Sequence, residues 1–507
     1  MDLWSVILAG SAIILLYYYL KRKDKFAKHG IPCNKTIPFV GNLWKVIFSR
    51  CTVFEMVDEL YKAHKEAKYI GGYEFLSPMI AIRDLELIKT ITVKNFDHFT
   101  DHRGMRSNEN DPLFTQNLFF LKGERWKEVR NVLSPIFTSS KLKGMFVLMS
   151  ECAKRFGETL ASLPTDQRTV ELKDAFTRYT NDVIATCAFG IEVDSMKDRN
   201  NTFYVYGREA TDLSAWMIMK FFLSSVFPRL TKLLNVKVVD PKIENYFINL
   251  VENNIKQREE KGINRQDMIQ LLMESKDKLG PGKELSIIDI TAQAFIFFFG
   301  GFETTATLMC FSAYEIGVNP DVQKKVQEEI DQVLIACNGE VTYEALMGMK
   351  YLDAVINESL RMYPVQPTID RVCTEKFELP PTLPGAKPYI MEKGDTLVVP
   401  VYGILHDEKY FEDPEEFKPE RFLNDGKKEA NATTYFPFGL GPRICIGNRF
   451  ALLETKVLLF HIFAKCNLII CPKTSYPIVL DKKKLGLMPV NGFCFEIQPR
   501  EKLSPPV

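Results

Sequence analysis

The sequence predicts a mainly α-helical fold with small β-sheets, of the α+β class, preceded by one apolar segment. Apolar residues recur at helical spacing through most of the chain after Lys122. The helical runs cover 123–136, 140–162, 171–188, 203–224, 241–261 and 285–317. Strand-like runs are restricted to 69–75, 79–82, 396–400 and the last part of the chain. Long helices with few short strands indicate a helical body with small sheets.

The composition is compatible with a large core and disfavours several classes of function. Hydrophobic residues make up 46% of the 507 residues, and 37 of them are Phe. A net charge of +1 gives no indication that the chain binds nucleic acid. None of the 11 cysteines forms a C-x-x-C pair, which disfavours zinc and iron–sulfur sites. Their odd number and wide scatter indicate a reducing compartment rather than a disulfide-linked scaffold.

An uncharged apolar run occupies residues 3–20, and basic residues follow it at 21–25. About 20 apolar residues span a bilayer, and basic residues after the run place the following chain on the cytoplasmic side. A cleaved signal peptide would carry its charge before the run. We therefore predict a single N-terminal transmembrane signal anchor over 1–20. The alternative is a buried amphipathic helix, but the run has no polar face.

The rest of the chain divides into a hinge and a body. Pro32 and Pro38 block helix formation and stiffen the chain after the basic residues. Residues 21–42 are therefore predicted to form an extended, basic and proline-containing hinge. No repeat or low-complexity segment follows, so residues 43–507 are predicted to form one domain.

The strongest chemical pattern is the stretch 438–447, called the cysteine loop below. Gly439, Gly441 and Gly447 allow positive φ angles and a close approach to a flat partner. Cys445 stands just before a helical run, and the start of a helix favours the thiolate form. A single thiolate without a nearby Cys or His suits a metal whose other ligands are not protein, as in haem. The alternative is a small buried apolar cysteine.

The loop has the pattern F-G-x-G-x-R-x-C-x-G and resembles the haem-binding loop of the cytochrome P450 family. The resemblance implies the cytochrome P450 fold for 43–507, haem b as the cofactor and Cys445 as the axial ligand of the haem iron. Thiolate ligation of this kind favours O–O bond cleavage. The other cofactor-site residues implied within the loop are Phe438, Gly439, Arg443 and Gly447.

A second motif lies in the helical run 285–317, where phenylalanines precede Gly300-Gly301 and then Glu303-Thr304. A glycine costs roughly 1 kcal/mol inside a helix, and an acid beside a hydroxyl is costly in an apolar setting unless it is hydrogen-bonded or functional. The alternative is a helix kink packed in the core. The stretch resembles the oxygen-activation motif of the family. This implies that Thr304 lies on the distal side of the haem and that Glu303 belongs to the proton-delivery route.

A third motif places Glu358 and Arg361 three residues apart on one helical face. Most such pairs lie on the surface, but the apolar neighbours of this pair indicate burial, and buried charges must be paired. In the family the pair binds an arginine of a later P-E-R-F motif, which stands at 419–422 here. The resemblance implies a structural triad of Glu358, Arg361 and Arg421 that holds the cysteine loop.

A fourth pattern spaces Trp126 and Arg130 one helical turn apart. Salt-bridged packing is the ordinary explanation of such a pair. The resemblance implies instead that basic and indole groups bind the haem propionates, since the guanidinium fork suits carboxylates. The implied set is Trp126, Arg130, Arg371, Arg443 and, where relatives carry a basic residue, His102 or its neighbour Arg103.

The resemblance is closest to animal microsomal members that oxidise drugs, toxins and steroids, and among these to the insect detoxification branch. It implies a monooxygenase in the endoplasmic reticulum membrane, with its catalytic domain on the cytoplasmic side, that inserts one atom of O2 into lipophilic substrates. No G-x-G-x-x-G stands between a strand and a helix, so the chain has no dinucleotide-binding fingerprint. Electrons are therefore expected from NADPH through a flavoprotein reductase, with a cytochrome b-type protein as a second donor.

The resemblance also indicates which segments contact substrate and membrane lipid. The unusually apolar stretch 211–234 is either core, including the wall of an apolar cavity, or a second membrane contact, and the resemblance favours the membrane contact. The candidate substrate-pocket residues are Phe114, Phe119, Phe295, Phe299, Thr305, Ile369 and Leu487.

Two other functions are compatible with parts of the pattern. A haem-thiolate isomerase or dehydratase needs neither O2 nor a reductase, but such relatives commonly lack the acid–threonine pair that stands at Glu303 and Thr304. A non-enzymatic haem-binding protein would have no use for the aromatic residues and the proton relay.

Overall fold

The structure, a computed structural model, describes residues 25–501 except for 38–39, 76, 104–110, 213–216, 218–219, 221–222, 224–227, 235, 277–283 and 424–432. The predicted transmembrane anchor at 1–20 lies outside the described residues. So does much of the predicted membrane-contacting stretch 211–234. In the described part of the chain, the predicted mainly helical fold with small sheets is confirmed.

Helices form most of the described chain. In chain order they are α1 (Trp44–Ile47), α2 (Val53–Lys62), α3 (Leu85–Lys89), α4 (Pro112–Thr115), α5 (Gly123–Leu133), α6 (Ser139–Ala161), α7 (Leu172–Cys187), α8 (Thr202–Thr211), α9 (Pro228–Leu233), α10 (Pro241–Lys261), α11 (Met268–Met273), α12 (Ile287–Val318), α13 (Pro320–Ala336), α14 (Tyr343–Gly348), α15 (Lys350–Met362), α16 (Val401–Leu405) and α17 (Asn448–Phe463). Shorter turns are a π-helical turn at Thr90–Lys94 and 3-10 turns at Phe96–Phe99, Ser134–Phe137, Thr165–Gln167, Pro419–Phe422 and Gly441–Arg443.

The central element is the 32-residue helix α12, which is buried along most of its length. Ser286 and Asp289 form a capping box at its start, each side chain accepting a hydrogen bond from the other's N–H at 3.0 Å. Helices α7, α10, α15 and α17 pack around it. Within the described residues, α12 alone is long and apolar enough to cross a membrane, but most of its apolar stretch is packed inside the protein, as in a core helix.

In the described chain, nine strands form three small sheets. The strands are β1 (Tyr69–Glu74), β2 (Ser77–Ile82), β3 (Thr169–Glu171), β4 (Ile369–Val372), β5 (Phe377–Leu379), β6 (Tyr389–Met391), β7 (Thr396–Val399), β8 (Cys466–Ile469) and β9 (Cys494–Pro499). The sheet orders are β1-β2-β7-β4, β3-β9-β8 and β5-β6. The two strands near the amino end, β1 and β2, pair antiparallel and are extended by strands from much later in the chain, with β7 parallel to β2 and β4 antiparallel to β7.

The helix predicted over 203–224 is interrupted at residue 212, and the described residues Met217, Lys220 and Leu223 beyond it are again helical. Helix α8 ends at Thr211, because Asp212 leaves the helical conformation with φ −68° and ψ 104°. Apolar spacing continued past this point, but spacing gives no information about a local change of backbone direction.

Within the predicted hinge at 21–42, Phe26 and Ile31 are packed against the body. Phe26 is 1% exposed, and its ring contacts those of Tyr73 and Tyr389. A Cβ on Gly71 of β1 would lie 2.6 Å from the Phe26 ring, so this glycine makes room for the ring. The hinge is therefore attached to the body through Phe26.

Candidate active site

The cysteine loop folds back on itself just before α17. The Cys445 N–H donates to the Phe438 carbonyl at 2.9 Å and so closes the loop. Arg130 of α5 donates from Nη2 to the Ile444 carbonyl, also at 2.9 Å. These hydrogen bonds fix the main chain next to Cys445, so the position of its thiol is set by the fold.

Two glycines of the loop take the positive φ angles that glycine allows, and one does not. Gly439 has φ 91° and Gly441 has φ 70°, whereas Gly447 has φ −91°. A Cβ on Gly441 would lie 1.9 Å from the Thr92 carbonyl oxygen. Gly441 therefore allows close contact between the loop and the π-helical turn Thr90–Lys94.

The Cys445 side chain is exposed to a space inside the protein. Although it is accessible, the surrounding protein removes enough water to raise the pKa of its thiol. The Gly447 N–H and the charge of Arg130 lower this pKa. The start of α17 thus acts in the predicted direction, toward thiolate, but desolvation outweighs it. A metal bound to the sulfur would deprotonate the thiol outright.

Helix α12 opens on one face at the second motif. Gly300 is exposed in the middle of this buried helix, and a Cβ placed on it would meet no described atom within 4 Å. Thr304, one turn later, is partly exposed and donates its hydroxyl hydrogen to the Gly300 carbonyl. The helix is uninterrupted through both glycines. Gly300 therefore leaves open space beside α12, whereas a Cβ on Gly301 would lie 3.1 Å from the Ile184 side chain of α7.

Aromatic side chains connect this face of α12 to the cysteine loop. The Phe137 ring lies 5.3 Å from the Phe297 ring, centroid to centroid, and 3.8 Å from the place that a Gly447 Cβ would take. The Phe114 ring lies 5.6 Å from the Phe299 ring. Helix α12, the cysteine loop and α4 therefore border one region of the protein.

Arg371 of β4 is fully buried beside the cysteine loop. Its Nη2 donates to the Leu440 carbonyl at 3.3 Å, and its Nη1 donates to the Asp370 carbonyl at 2.7 Å. Its Nε has no acceptor among the described residues. Burial lowers the pKa of Arg371 to about 10. Because a buried guanidinium N–H seldom lacks a partner, this atom fits an anionic group that is bound beside it.

Arg443 of the cysteine loop mainly binds main chain. Its donors bind the carbonyl oxygens of Thr100 (2.7 Å), Leu118 (3.3 Å), Phe119 (3.3 Å) and Leu121 (2.7 Å). The guanidinium also lies over the Trp126 ring, 4.1 Å from its centroid. Burial lowers the pKa of Arg443 to about 9. Arg443 thus ties the loop to residues 100 and 118–121, a connection that the sequence did not indicate, and leaves few donors for a propionate.

His102 is held at the edge of the site. Its Nδ1 lies 3.2 Å from an Asp370 carboxylate oxygen, and its ring stacks on Phe119 with centroids 4.6 Å apart. Burial lowers the pKa of His102, which favours the neutral ring at pH 7. A neutral imidazole is a weaker partner for a propionate than the basic residue that the resemblance implies.

The arrangement fits a haem. The site contains one accessible thiol, that of Cys445. Within the described ranges, no group of His, Cys, Asp and Glu side chains could hold a metal ion, so the thiol has no second protein ligand beside it. Because Gly300 has no side chain, there is space beside α12 at this position. The Nε–H of Arg371 has no acceptor among the described residues and can bind a carboxylate. A thiolate-bound haem needs these three features: one ligand, room for a flat ring and partners for its anionic groups.

Comparison with known proteins shows the family of the chain. The cytochrome P450 family model matches residues 31–494. The chain belongs to the cytochrome P450 family. It is 44% identical to cytochrome P450 9e2 of Blattella germanica, over 98% of each chain. It is 40% identical to probable cytochrome P450 9f2 of Drosophila melanogaster, over 98% of this chain and 100% of the relative. For cytochrome P450 6a9 of the same species the identity is 34%, with coverage of 98% and 100%.

This P450 is therefore an oxidoreductase of the haem-thiolate monooxygenase type, and the predicted resemblance to insect members is confirmed. Its acid–threonine pair is not isolated. The Lys173 Nζ of α7 lies 2.7 Å from Glu303 Oε1, and it also donates to Thr307 Oγ1 at 2.7 Å. The Glu303 side chain is 46% exposed. Sequence reasoning missed Lys173, because nothing local marks a lysine whose partner lies on another helix.

The structure brings the three residues of the predicted triad together in this P450. Arg361 donates from Nε and Nη2 to the two Glu358 carboxylate oxygens, at 2.8 and 2.9 Å. Arg421 donates from Nε to Glu358 Oε1 at 3.3 Å, and the Lys418 N–H binds the same oxygen at 3.0 Å. The Glu358 and Arg361 side chains are fully buried. Arg361 also donates to the Leu405 carbonyl at 3.1 Å, so the triad ties α15 to α16 and to the 419–422 turn.

The candidate substrate-pocket residues take different positions. Phe299 and Ile369 are partly exposed, and Phe119 is 44% exposed. Ile369 lies 3.9 Å from the place of a Gly439 Cβ, beside the cysteine loop. The remaining candidates are packed at 3% exposure or less, namely Phe114, Phe295, Thr305 and Leu487. The burial of Thr305 separates it from Thr304, which faces the open side of α12.

Proposed function

We propose that this P450 oxidises lipophilic substrates, in the class of xenobiotics such as insecticides, plant toxins or steroid-like compounds. The observation that carries the proposal is the aromatic lining beside the open face of α12. Phe299 lies next to Gly300, and its ring packs against Phe114 and, at 6.4 Å, against Phe295. Apolar walls with few polar groups favour apolar ligands. The one hydroxyl on this face is that of Thr304, within the described part of 295–305.

When bound, haem supplies the redox chemistry that inserts one atom of O2 into the substrate and releases the other as water. In our proposal the Cys445 sulfur would hold the iron of a bound haem, and the Arg371 Nε would donate to one of its propionates. The Thr304 hydroxyl holds a proton on the open side of α12 and passes it toward the reacting oxygen. The Glu303 carboxylate, half exposed and paired with Lys173, receives protons from solvent and supplies them to this relay.

The proposal also includes membrane attachment in the endoplasmic reticulum, with the catalytic domain on the cytoplasmic side. The apolar run at 3–20 and the basic residues after it support the single transmembrane anchor. Three exposed apolar side chains support a second contact with lipid near α9: Leu230, Leu233 and Leu234, at 48%, 81% and 63% exposure. Adjacent exposed leucines are unusual on a surface that faces only water.

Electrons come from outside the chain in our proposal, because the sequence has no dinucleotide-binding fingerprint. The donor is an NADPH-dependent flavoprotein reductase in the same membrane, and a cytochrome b-type protein is a second donor.

The function is tested on the full-length chain in membranes. The reduced carbon-monoxide difference spectrum reports thiolate ligation, and lipophilic compounds are then screened for spin-state shifts. With added reductase, compounds that give a shift should support NADPH consumption and oxygenated product that carries label from 18O2. A thiolate-type spectrum with turnover that needs no O2 would instead support an isomerase or dehydratase. A thiolate-type spectrum with no turnover of any probe would support a non-enzymatic haem protein.

Replacing Thr304 with alanine should reduce the coupling of NADPH use to product by about tenfold. This lies below the ~10²–10⁴-fold contribution of a positioned proton donor, because water replaces the hydroxyl in part. The measurement is product and peroxide formed per NADPH consumed. Ser312→Ala is the matched control, since this buried hydroxyl on the same helix has no partner among the described residues. Unchanged coupling in Thr304→Ala would remove Thr304 from the relay.

A further inference from the structure

The Gln293 side chain of α12 is fully buried, and both ends of its amide bind one loop. Nε2 donates to the Gln116 carbonyl at 2.8 Å, and Oε1 accepts from the Leu118 N–H at 2.9 Å. A glutamine amide has one acceptor end and one donor end, so it can pair with a peptide main chain at two points. Gln293 thus holds residues 116–118 against α12.

The segment that Gln293 holds, 111–121, is attached to the protein at two further places. At its start, the Asp111 carboxylate accepts hydrogen bonds from the N–H groups of Val238 and Val239, at 2.6 and 3.3 Å. At its end, Arg443 of the cysteine loop binds the carbonyls of residues 118, 119 and 121. Gln293 binds the segment between these two ends. It is the α12 side chain that holds the segment by hydrogen bonds.

The same segment carries an aromatic side chain that packs behind the wall of the proposed substrate cavity. Phe114 is 1% exposed and packs against Phe295 and Phe299 of α12, with centroids 6.0 and 5.6 Å apart. Phe299 is partly exposed and is next to Gly300, where the helix leaves open space. A shift of the segment along α12 would therefore change how Phe114 supports the Phe299 ring, and with it the shape of the cavity.

We propose that Gln293 is a positioning residue: by holding residues 116–118 against α12, it sets the place of Phe114 and so the size and shape of ligand that the cavity accepts. The inference rests on the proposed function, because it takes the space beside Phe299 and Gly300 as the substrate cavity. Gln293 itself is covered by the segment, so it acts through Phe114 and has no contact with substrate.

The chain contains a matched control for Gln293. Gln323 of α13 is also buried, and its amide binds the main chain of Leu468 in β8 at two points. Its Nε2 donates to the Leu468 carbonyl at 3.2 Å, and its Oε1 accepts from the Leu468 N–H at 2.8 Å. Gln293→Met and Gln323→Met remove equivalent hydrogen bonds with little change in side-chain volume. The two variants differ in the segment that loses its hydrogen bonds. Gln293 binds the 111–121 segment, and Gln323 binds β8.

The experiment uses the full-length haem-loaded protein and two azoles of different size, phenylimidazole and its bulkier biphenylyl homologue. Difference-spectral titration gives a Kd for each azole, and the readout is the ratio of the two Kd values. Loss of a hydrogen bond costs about 0.5–1.5 kcal/mol, so we expect Gln293→Met to change this ratio by roughly 2- to 13-fold. Gln323→Met should leave the ratio unchanged. It should lower the thermal unfolding midpoint by as much as Gln293→Met does.

Equal Kd ratios in wild type and Gln293→Met would overturn the proposal. An equal change of the ratio in Gln293→Met and Gln323→Met would also overturn it. Either result would show that the Gln293 hydrogen bonds only stabilise the fold. If Gln293→Met does not retain haem, Gln293→Glu is measured in the same way. It keeps the acceptor for Leu118 and is expected to shift the ratio in the same direction by a smaller factor; an unchanged ratio there also overturns the proposal. If wild type binds neither azole and gives no thiolate-type spectrum, the proposed function itself has failed.

Discussion

Replacing Cys445 with alanine will abolish the thiolate-type carbon-monoxide spectrum and all monooxygenase activity. Cys445 is the one accessible thiol in the closed loop before α17, and no group of metal-ligating side chains in the described chain offers a substitute. Alanine has no atom that binds iron. The expected product is a folded protein that has lost its cofactor or holds it without sulfur ligation.

The measurement is haem content per chain together with the reduced carbon-monoxide spectrum of purified membranes. Cys337→Ala is the control, because this partly exposed free cysteine lies at the end of α13, away from the loop. The control should behave as wild type. A thiolate-type spectrum that survives in Cys445→Ala would show that another cysteine holds the iron and would contradict the assignment.

Replacing Glu358 with alanine will remove a large part of the stability of the protein. The two guanidinium groups that it pairs would remain buried, at 0% and 5% side-chain exposure, without the carboxylate. Breaking a buried ion pair by removal of one partner costs about 3–5 kcal/mol. Because folded domains are stable by only about 5–15 kcal/mol, little haem-loaded protein should accumulate.

Urea unfolding midpoints and haem content measure this effect. Glu344→Ala is the comparison, because it removes the acid of an ion pair on the surface. The side chains of this pair, Lys143 and Glu344, are 58% and 64% exposed. Loss of an exposed pair should leave the urea midpoint unchanged. A triple replacement of Glu358, Arg361 and Arg421 by apolar residues should be more stable than Glu358→Ala, because no charge is then left buried alone. A Glu358→Ala midpoint equal to that of wild type would show that the triad is not a structural centre.

The two candidate motifs with the closest internal spacing were the most predictable. Glu358 and Arg361 are one helical turn apart, so any helix that contains them places them on one face, and the structure pairs them. The cysteine loop is likewise defined by neighbouring residues, since its glycines and its helix start are local. At Gly447 this freedom is not used, because glycine permits a positive φ but does not require one.

The helical class of the fold, the candidate metal ligand and the family resemblance could all be predicted from the residues, because they depend on spacing within a helix or a loop. The distant groups that satisfy the buried polar atoms became visible in the folded chain. Lys173 binds Glu303, Gln293 binds residues 116 and 118, and Arg443 binds main chain instead of standing free for the cofactor. Hydrophobic periodicity reports which face of a helix is buried. It does not report which segment covers that face, and the partners of buried polar groups follow from the covering segment.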